Sequence, residues 1–185
     1  MKIMFISDIH GCVPALQKAL AHFNRKQADL LVILGDELYH GPRNPLPEGY
    51  DPKMVAALLN DYREKILAVR GNCDSEVDQM MLEYPMMADY SRLYVDGISF
   101  FLTHGHLYDE NHLPPLSSGE VFVYGHYHVP VAKQDAGLFF INPNSISMPK
   151  AGVPSYGWYE NGIYTLFDLN TDEKLMEIVL KRSEK

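Results

Sequence analysis

Four apolar residues in succession, Ile3-Met4-Phe5-Ile6, begin the pattern and give way at once to polar ones. A short unbroken apolar run of this kind reads as a strand buried on both faces. From about Pro14 to Lys26 the period becomes helical: Leu16, Ala19, Leu20 and Phe23 share one face, and Pro14 is tolerated near the first turn. Leu30-Leu31-Val32-Ile33-Leu34 is a second buried strand, and the strand–helix–strand spacing implies a parallel pair with a right-handed crossover. Pro42 to Pro52, with four prolines and Gly49, reads as an ordered loop rather than a linker. A helix from about Pro52 to Asp61 turns Val55, Leu58 and Leu59 inward, Ile66 to Val69 is a third strand, and Ser75-Glu76-Val77-Asp78 opens a short helix towards Met81.

From Tyr90 the period is that of strands. Tyr90 to Val95 and Ile98 to Thr103 flank Asp96-Gly97, a strong hairpin signal, and Asn161-Gly162 makes a second one. Further strands are expected at Val121 to Tyr124, Leu138 to Ile141, Tyr156 to Glu160, Ile163 to Asp168 and Lys174 to Leu180. A helix-alternating first half and a strand-rich second half predict two sheets packed face to face with helices outside. Tyr156-Gly157-Trp158-Tyr159 alternates like a packing strand rather than a base-stacking platform.

Composition adds limits. The 185 residues are 46% apolar and 22% charged, without a repeat or an internal boundary, which fits one domain over residues 1–185. A net charge of −8 with no Lys or Arg run argues against long nucleic acid and against an anionic membrane surface. It leaves room for a small anionic substrate, because bound cations invert a local field. Cys12 and Cys73 form no disulfide framework, the N-terminus has no signal-peptide core, and no stretch approaches the roughly 20 apolar residues of a membrane span. A cytoplasmic location is expected. Tyrosine-rich hairpins are compatible with a homo-oligomer.

The chemistry lies where strands end. Five apolar runs finish in residues able to bind a metal: Asp8 with His10, Asp36, Asn72, His104, and His126 with His128. Sites of α/β folds form at the carboxyl ends of strands. Asp8 and His10, two residues apart, would project to the same side of an extended backbone. Polar turns between core strands are the alternative, but five separate endings are hard to reach by accident.

Together, Asp8-x-His10, Gly35-Asp36, Gly71-Asn72-x-Asp74, Thr103-His104-Gly105-His106 and Gly125-His126-x-His128 resemble the calcineurin-like metallophosphoesterase superfamily. His40-Gly41-Pro42-Arg43-Asn44, the run Arg70 to Asp78 and Asn142-Pro143 are similar to its small bacterial YfcE-type phosphodiesterases. The resemblance implies an α/β fold, a four-layer α/β/β/α sandwich of two mixed sheets flanked by helices. It also implies two divalent metal ions, one held by Asp8, His10, Asp36 and His128, the other by Asp36, Asn72, His104 and His126, with Asp36 bridging. Oxygen and imidazole donors suit Mn²⁺, Fe, Co²⁺, Zn²⁺ or Mg²⁺, and family habit points to Mn²⁺. A hydroxide between two such ions is a nucleophile at neutral pH. Two divalent ions, two carboxylates and one hydroxide leave a centre of about +1, which matches a phosphodiester better than a monoester dianion.

The expected activity is therefore hydrolysis of small phosphodiesters. Phosphomonoester or nucleoside-polyphosphate hydrolysis is the alternative, and a protein-binding scaffold of the same fold, like the retromer subunit, is disfavoured because every ligand position is filled. Many superfamily members carry histidine in the Cys73 position, and a thiol of ordinary pKa about 8.5 is a poorer acid than an imidazolium near neutrality. Cys73 is thus either a weak proton donor or a space-filling thiol. Asp74 either orients His10 or another ligand by a hydrogen bond or caps the helix near Ser75. His40 and Arg43, in the proline-rich loop just beyond Asp36, are either placed to touch phosphate or solvated loop charges. His106 either shapes the second metal site or is a turn residue. His22, on a solvated helix face, and His112, in a loop, are given no role. Asn144, where related chains usually have glycine, is expected to keep a left-handed turn.

Overall fold

A computed structural model describes residues 1–180, so the last five of the 185 residues assigned to one domain lie outside the described part. Eleven strands and three α-helices follow in the order β1 (Ile3–Ile6), α1 (Val13–Lys26), β2 (Leu30–Ile33), α2 (Pro52–Asn60), β3 (Ile66–Ala68), α3 (Glu76–Met81), β4 (Tyr90–Val95), β5 (Ile98–Thr103), β6 (Val121–Val123), β7 (Val131–Asp135), β8 (Leu138–Asn142), β9 (Ser155–Glu160), β10 (Ile163–Asp168) and β11 (Lys174–Val179). They form two mixed sheets, a six-stranded one ordered β11-β10-β9-β1-β2-β3 and a five-stranded one ordered β4-β5-β6-β8-β7. This is the expected two-sheet α/β architecture.

The unbroken apolar runs have a simple cause. Alternate residues of β1 and β2 face two cores: Met4, Ile6, Leu31 and Ile33 pack with Leu16, Leu20 and Phe23 of α1 and with Val55 and Leu59 of α2. Ile3, Phe5 and Val32 pack with Phe100, Leu102, Val121, Val123, Phe139 and Ile141 of the second sheet. A third cluster, Phe101, Phe122, Tyr124 and Phe140, lies on the outer face of that sheet and is met by Tyr108 and Leu116. That outer layer is thus supplied by the 104–120 segment, which among the described residues contains no helix.

Local signals operate as expected at the turns. Asp96 and Gly97, and Asn161 and Gly162, all take positive φ, as the tight hairpin turn requires. Pro52 opens α2, with Asp51 accepting from Met54 N at 3.0 Å. Strand β7 escapes the apolar pattern because Lys133-Gln134-Asp135 is exposed on a sheet edge, where polar residues guard against further pairing. Its hairpin to β8 turns on Ala136 and Gly137, both at positive φ. Strands β1, β2 and β3 run parallel, as do β5, β6 and β8, so within each sheet the loops at their carboxyl ends emerge on one side. No helix among the described residues is long and apolar enough to cross a membrane.

Candidate metal centre

Past the ends of β1 and β2 the two chains remain tied by Asp8 N–H to Gly35 O at 3.1 Å, His10 N–H to Asp36 O at 2.9 Å and Gly11 N–H to Glu37 O at 3.0 Å. This ladder holds an unusual backbone. Asp8 (φ 56°), His10 (φ 49°), Asp36 (φ 56°), His126 (φ 63°) and His128 (φ 56°) are all left-handed. The extended Asp8–His10 backbone expected from spacing is therefore not what is found. The two side chains meet because left-handed residues on either side of Ile9 coil the loop. Such conformations cost non-glycine residues on the order of 1 kcal/mol each and persist where surrounding bonds over-determine them. Two glycines are required by closeness: a Cβ on Gly71 would lie 2.0 Å from Asp36 Oδ1, and one on Gly125 would lie 1.9 Å from Ser7 Oγ.

The candidate ligands converge in two overlapping groups. His128 Nε2 is 3.1 Å and His10 Nε2 3.6 Å from Asp8 Oδ1, while His10 Nε2 is 3.7 Å from Asp36 Oδ2. On the other side, His104 Nε2 is 3.5 Å from Asp36 Oδ2, 3.1 Å from Asn72 Oδ1 and 3.2 Å from His126 Nδ1. Asp36 belongs to both groups. Three rings are aimed by their outer nitrogens: His10 Nδ1 donates to Tyr39 O at 2.9 Å, His104 Nδ1 to Leu34 O at 2.7 Å and His128 Nδ1 to Met148 O at 2.5 Å. This tautomer leaves each Nε2 lone pair pointing inward.

A cation fits this donor set. His10 Nε2 is fully buried with no hydrogen-bond partner among the described residues, although it faces two carboxylates. Lone pairs of neutral imidazoles set against each other and against carboxylates repel unless positive charge lies between them. The electrostatics agree in direction. Burial works against the charge of Asp8, yet the His10 and His128 imidazoles beside it outweigh that and hold its carboxyl well below the usual range. Burial disfavours a charged His10, but Asp8 and Asp36 outweigh it and raise its proton affinity. Burial and the neighbouring His104 lower that of His126.

Other residues singled out in the sequence fall in varied places. Asp74 does not reach His10. Its Oδ2 accepts from Asp36 N at 2.8 Å and Gly71 N at 2.7 Å, and its Oδ1 from Glu37 N at 2.9 Å, so it fixes the backbone beneath Asp36. Nor is it the cap of α3. Ser75 takes that place, with its N–H donated to Asp78 Oδ2 at 2.7 Å. Burial and the charge of Asp36 push Asp74 up to about 6 against its three N–H donors.

Cys73 and Arg43 line a cleft of about 720 Å³ together with His10, Asp36, Tyr39, Gly41, Pro42, Asn44, Asn72, His126, Tyr127, His128 and Lys150. Burial and the charge of Asp36 raise the Cys73 thiol. His40 does not line this cleft, because its ring is held edge-on between Tyr39 (4.7 Å) and Tyr50 (5.3 Å). His106 packs 5.3 Å from the His104 ring, and burial, with His104 next, lowers it to about 4.

His22 is not solvated. Its Nε2 bonds Leu169 O at 2.9 Å and its ring stacks on Tyr156 at 5.0 Å. His112 stacks on Tyr108 at 6.0 Å, outside the centre. Asn144 is left-handed (φ 70°) and donates to Ala151 O and Val153 O, and Tyr156 and Tyr159 are buried packing residues, both as expected.

Sequence reasoning missed the supports. Ser7 Oγ donates to Asp8 Oδ2 at 2.6 Å, Ser145 and Ser147 hydroxyls donate to Asp8 O at 2.9 and 2.8 Å, and Asn142 Nδ2 donates to Gly125 O at 2.8 Å. Ser7 could have been found as the polar residue between β1 and Asp8. Ser145 and Ser147 come from a loop more than 130 residues beyond Asp8, and Asn142 from the end of β8, 17 residues beyond Gly125.

The family model for the calcineurin-like phosphoesterase superfamily domain matches residues 1–161. The chain is 49% identical to phosphodiesterase YfcE of Escherichia coli strain K12 over 181 residues, covering 97% of this chain and 98% of that protein. It is 26% identical to phosphodiesterase MJ0936 of Methanocaldococcus jannaschii, covering 85% and 91%. A solved structure of the phosphoesterase Yfce from E. coli superposes with a TM-score of 0.96 at 47% identity, covering 98% of this chain and all of the other.

Proposed function

The chain belongs to the calcineurin-like phosphoesterase superfamily, and from that premise we propose that it hydrolyses small phosphodiesters with the help of two divalent cations, manganese first among them. One observation carries the reading: Asp36 stands within 3.7 Å of His10 Nε2 and 3.5 Å of His104 Nε2, so a single carboxylate serves both ligand groups. Asp8, His10, Asp36 and His128 would hold one ion; Asp36, Asn72, His104 and His126 the other. When bound, such a pair supplies Lewis acidity, readying water for attack and neutralising charge on the phosphoryl oxygens.

The chain's own residues do the rest. The carbonyls of Tyr39, Leu34 and Met148 fix three imidazoles before any ligand arrives, which removes reorganisation from the reaction. Asp74 holds the Asp36 turn through three backbone N–H groups. Arg43, in the cleft wall, is a donor for a non-bridging phosphoryl oxygen. Cys73 is a poor acid, since burial and Asp36 raise its thiol, so the alcohol must leave largely unassisted. Diesters with good leaving groups are then the best substrates. A centre of about +1 suits one diester charge. The two unpaired cysteines fit a reducing cytoplasm.

The test is a screen of the manganese-loaded protein on bis(p-nitrophenyl) phosphate, cyclic nucleotides and p-nitrophenyl phosphate. The aryl diester should turn over fastest, and Asp36→Asn should lose at least about 100-fold in kcat. Preference for the monoester would favour the alternative; no turnover of any phosphate ester would overturn the reading.

A further inference from the structure

Lys150 was not part of any motif, yet it stands in the wall of the same cleft as His10, Asp36 and Asn72. Its place is built. Lys150 N–H donates to His128 O at 2.8 Å and Ala151 N–H to the same oxygen at 3.3 Å, so the β8–β9 loop is clamped to a candidate ligand. Among the described residues neither the exposed Lys150 side chain nor Arg43 in the same cleft has a carboxylate partner, which is also true of Lys2, Lys18, Lys53 and Lys65 elsewhere on the surface. A chain of net charge −8 thus leaves a cation uncovered at the edge of its cleft.

Charge balance says what that cation is for. The proposed centre, at about +1, is matched by the single charge of a diester. With Arg43 given to the scissile phosphate, Lys150 is a positive charge in the same cleft that the scissile group leaves without a partner. We propose that Lys150 is a specificity-determining residue that binds a second anionic group, a carboxylate or phosphate, carried on the substrate beyond the scissile phosphorus. This deepens the phosphodiesterase reading and rests on it. The substrate class becomes a diester whose alcohol portion is itself anionic.

The experiment uses the manganese-loaded full chain and three p-nitrophenyl diesters whose second alcohol ends in a carboxylate, a methyl or a trimethylammonium group. The wild type should prefer them in that order. In Lys150→Ala the ratio of kcat/KM for the carboxylate over the methyl compound should fall about tenfold, mostly through KM. Lys150→Arg should retain the preference and Lys150→Glu reverse it. Calorimetric binding of the corresponding alkyl phosphonate monoesters, which need not be turned over, should show the same ratio in Kd. Equal treatment of the three diesters by the wild type, or an equal loss on all of them in Lys150→Ala, would overturn the inference. If no diester is cleaved but the phosphonates still discriminate through Lys150, the hydrolysis reading fails and the anion site stands.

Discussion

Asp74 accepts from three buried backbone N–H groups, and asparagine offers only one acceptor oxygen in its place. Asp74→Asn should therefore leave at least one N–H unsatisfied and cost about 2 kcal/mol by urea unfolding. Because two of those groups belong to Asp36 and Glu37, manganese affinity should also fall by about 10–100-fold in a direct metal titration. An unchanged affinity would mean that Asp74 supports the fold without positioning Asp36. Cys73 gives a complementary test at the substrate side. Its Sγ lies within reach of Asn72 Nδ2 at 3.2 Å and its N–H is fixed on Asp36 Oδ1 at 2.8 Å, so a longer side chain in that position would enter the cleft. Cys73→His should change the diester-to-monoester ratio and improve substrates with poor leaving groups more than aryl ones. Equal relative rates across leaving groups would deny the position any part in proton transfer.

Between elements, helix α1 is fastened to the β10–β11 turn through one carboxylate. Asp172 accepts from Arg25 Nη2 at 2.7 Å and Lys26 Nζ at 3.1 Å, and from the Tyr156 hydroxyl. Burial opposes its charge, but these hydrogen bonds outweigh it and hold the carboxyl at about 2. A folded value depressed in this way contributes stability that is complete above the ordinary carboxylate range and is lost as pH falls from about 4 to about 2. Asp172→Asn should lower the urea midpoint at pH 7 by the equivalent of about 1 kcal/mol, discounted for the solvent that reaches the group. It should also flatten the decline between pH 4 and pH 2.5. This fastening shows why the sequence was partly legible at this scale. Buried strands such as β1 and β2 declare themselves because both faces are apolar, and Asp96-Gly97 and Asn161-Gly162 announce their turns. The burial of His22 does not declare itself, since its partners Tyr156, Leu169 and Asp172 lie more than 130 residues along the chain. Strand β7 is equally silent, its polar residues being those a sheet edge needs.

Across the whole molecule, the seven candidate ligands were visible because each follows a strand whose apolar run marks its own end, and the parallel strands of both sheets carry those ends together. The left-handed backbones of Asp8, His10, Asp36, His126 and His128 and the supporting Ser145 and Ser147 were not visible, because contacts between segments far apart in the chain hold them. The same convergence makes the centre a stability element as well as a chemical one. Asp8, Asp36, Glu37 and Asp74 are all buried in a chain of net charge −8. Burial, followed by the charge of Asp74, drives Glu37 well above its usual range, so that this carboxyl favours its neutral form beneath the cleft. A cation that binds only the folded chain stabilises it by RT ln(1 + [L]/Kd), about 2.7 kcal/mol at one hundred times Kd. For a domain of this size that raises Tm by about 5–10 °C. Stripping metal with a chelator should therefore lower Tm by this amount, and excess manganese should restore it. Asp36→Asn should abolish most of the manganese-induced rise, whereas Lys150→Ala, which removes no donor atom from either ligand group, should keep it. A wild-type Tm indifferent to chelator and manganese would mean that the convergent carboxylates and imidazoles do not hold a cation in the folded protein.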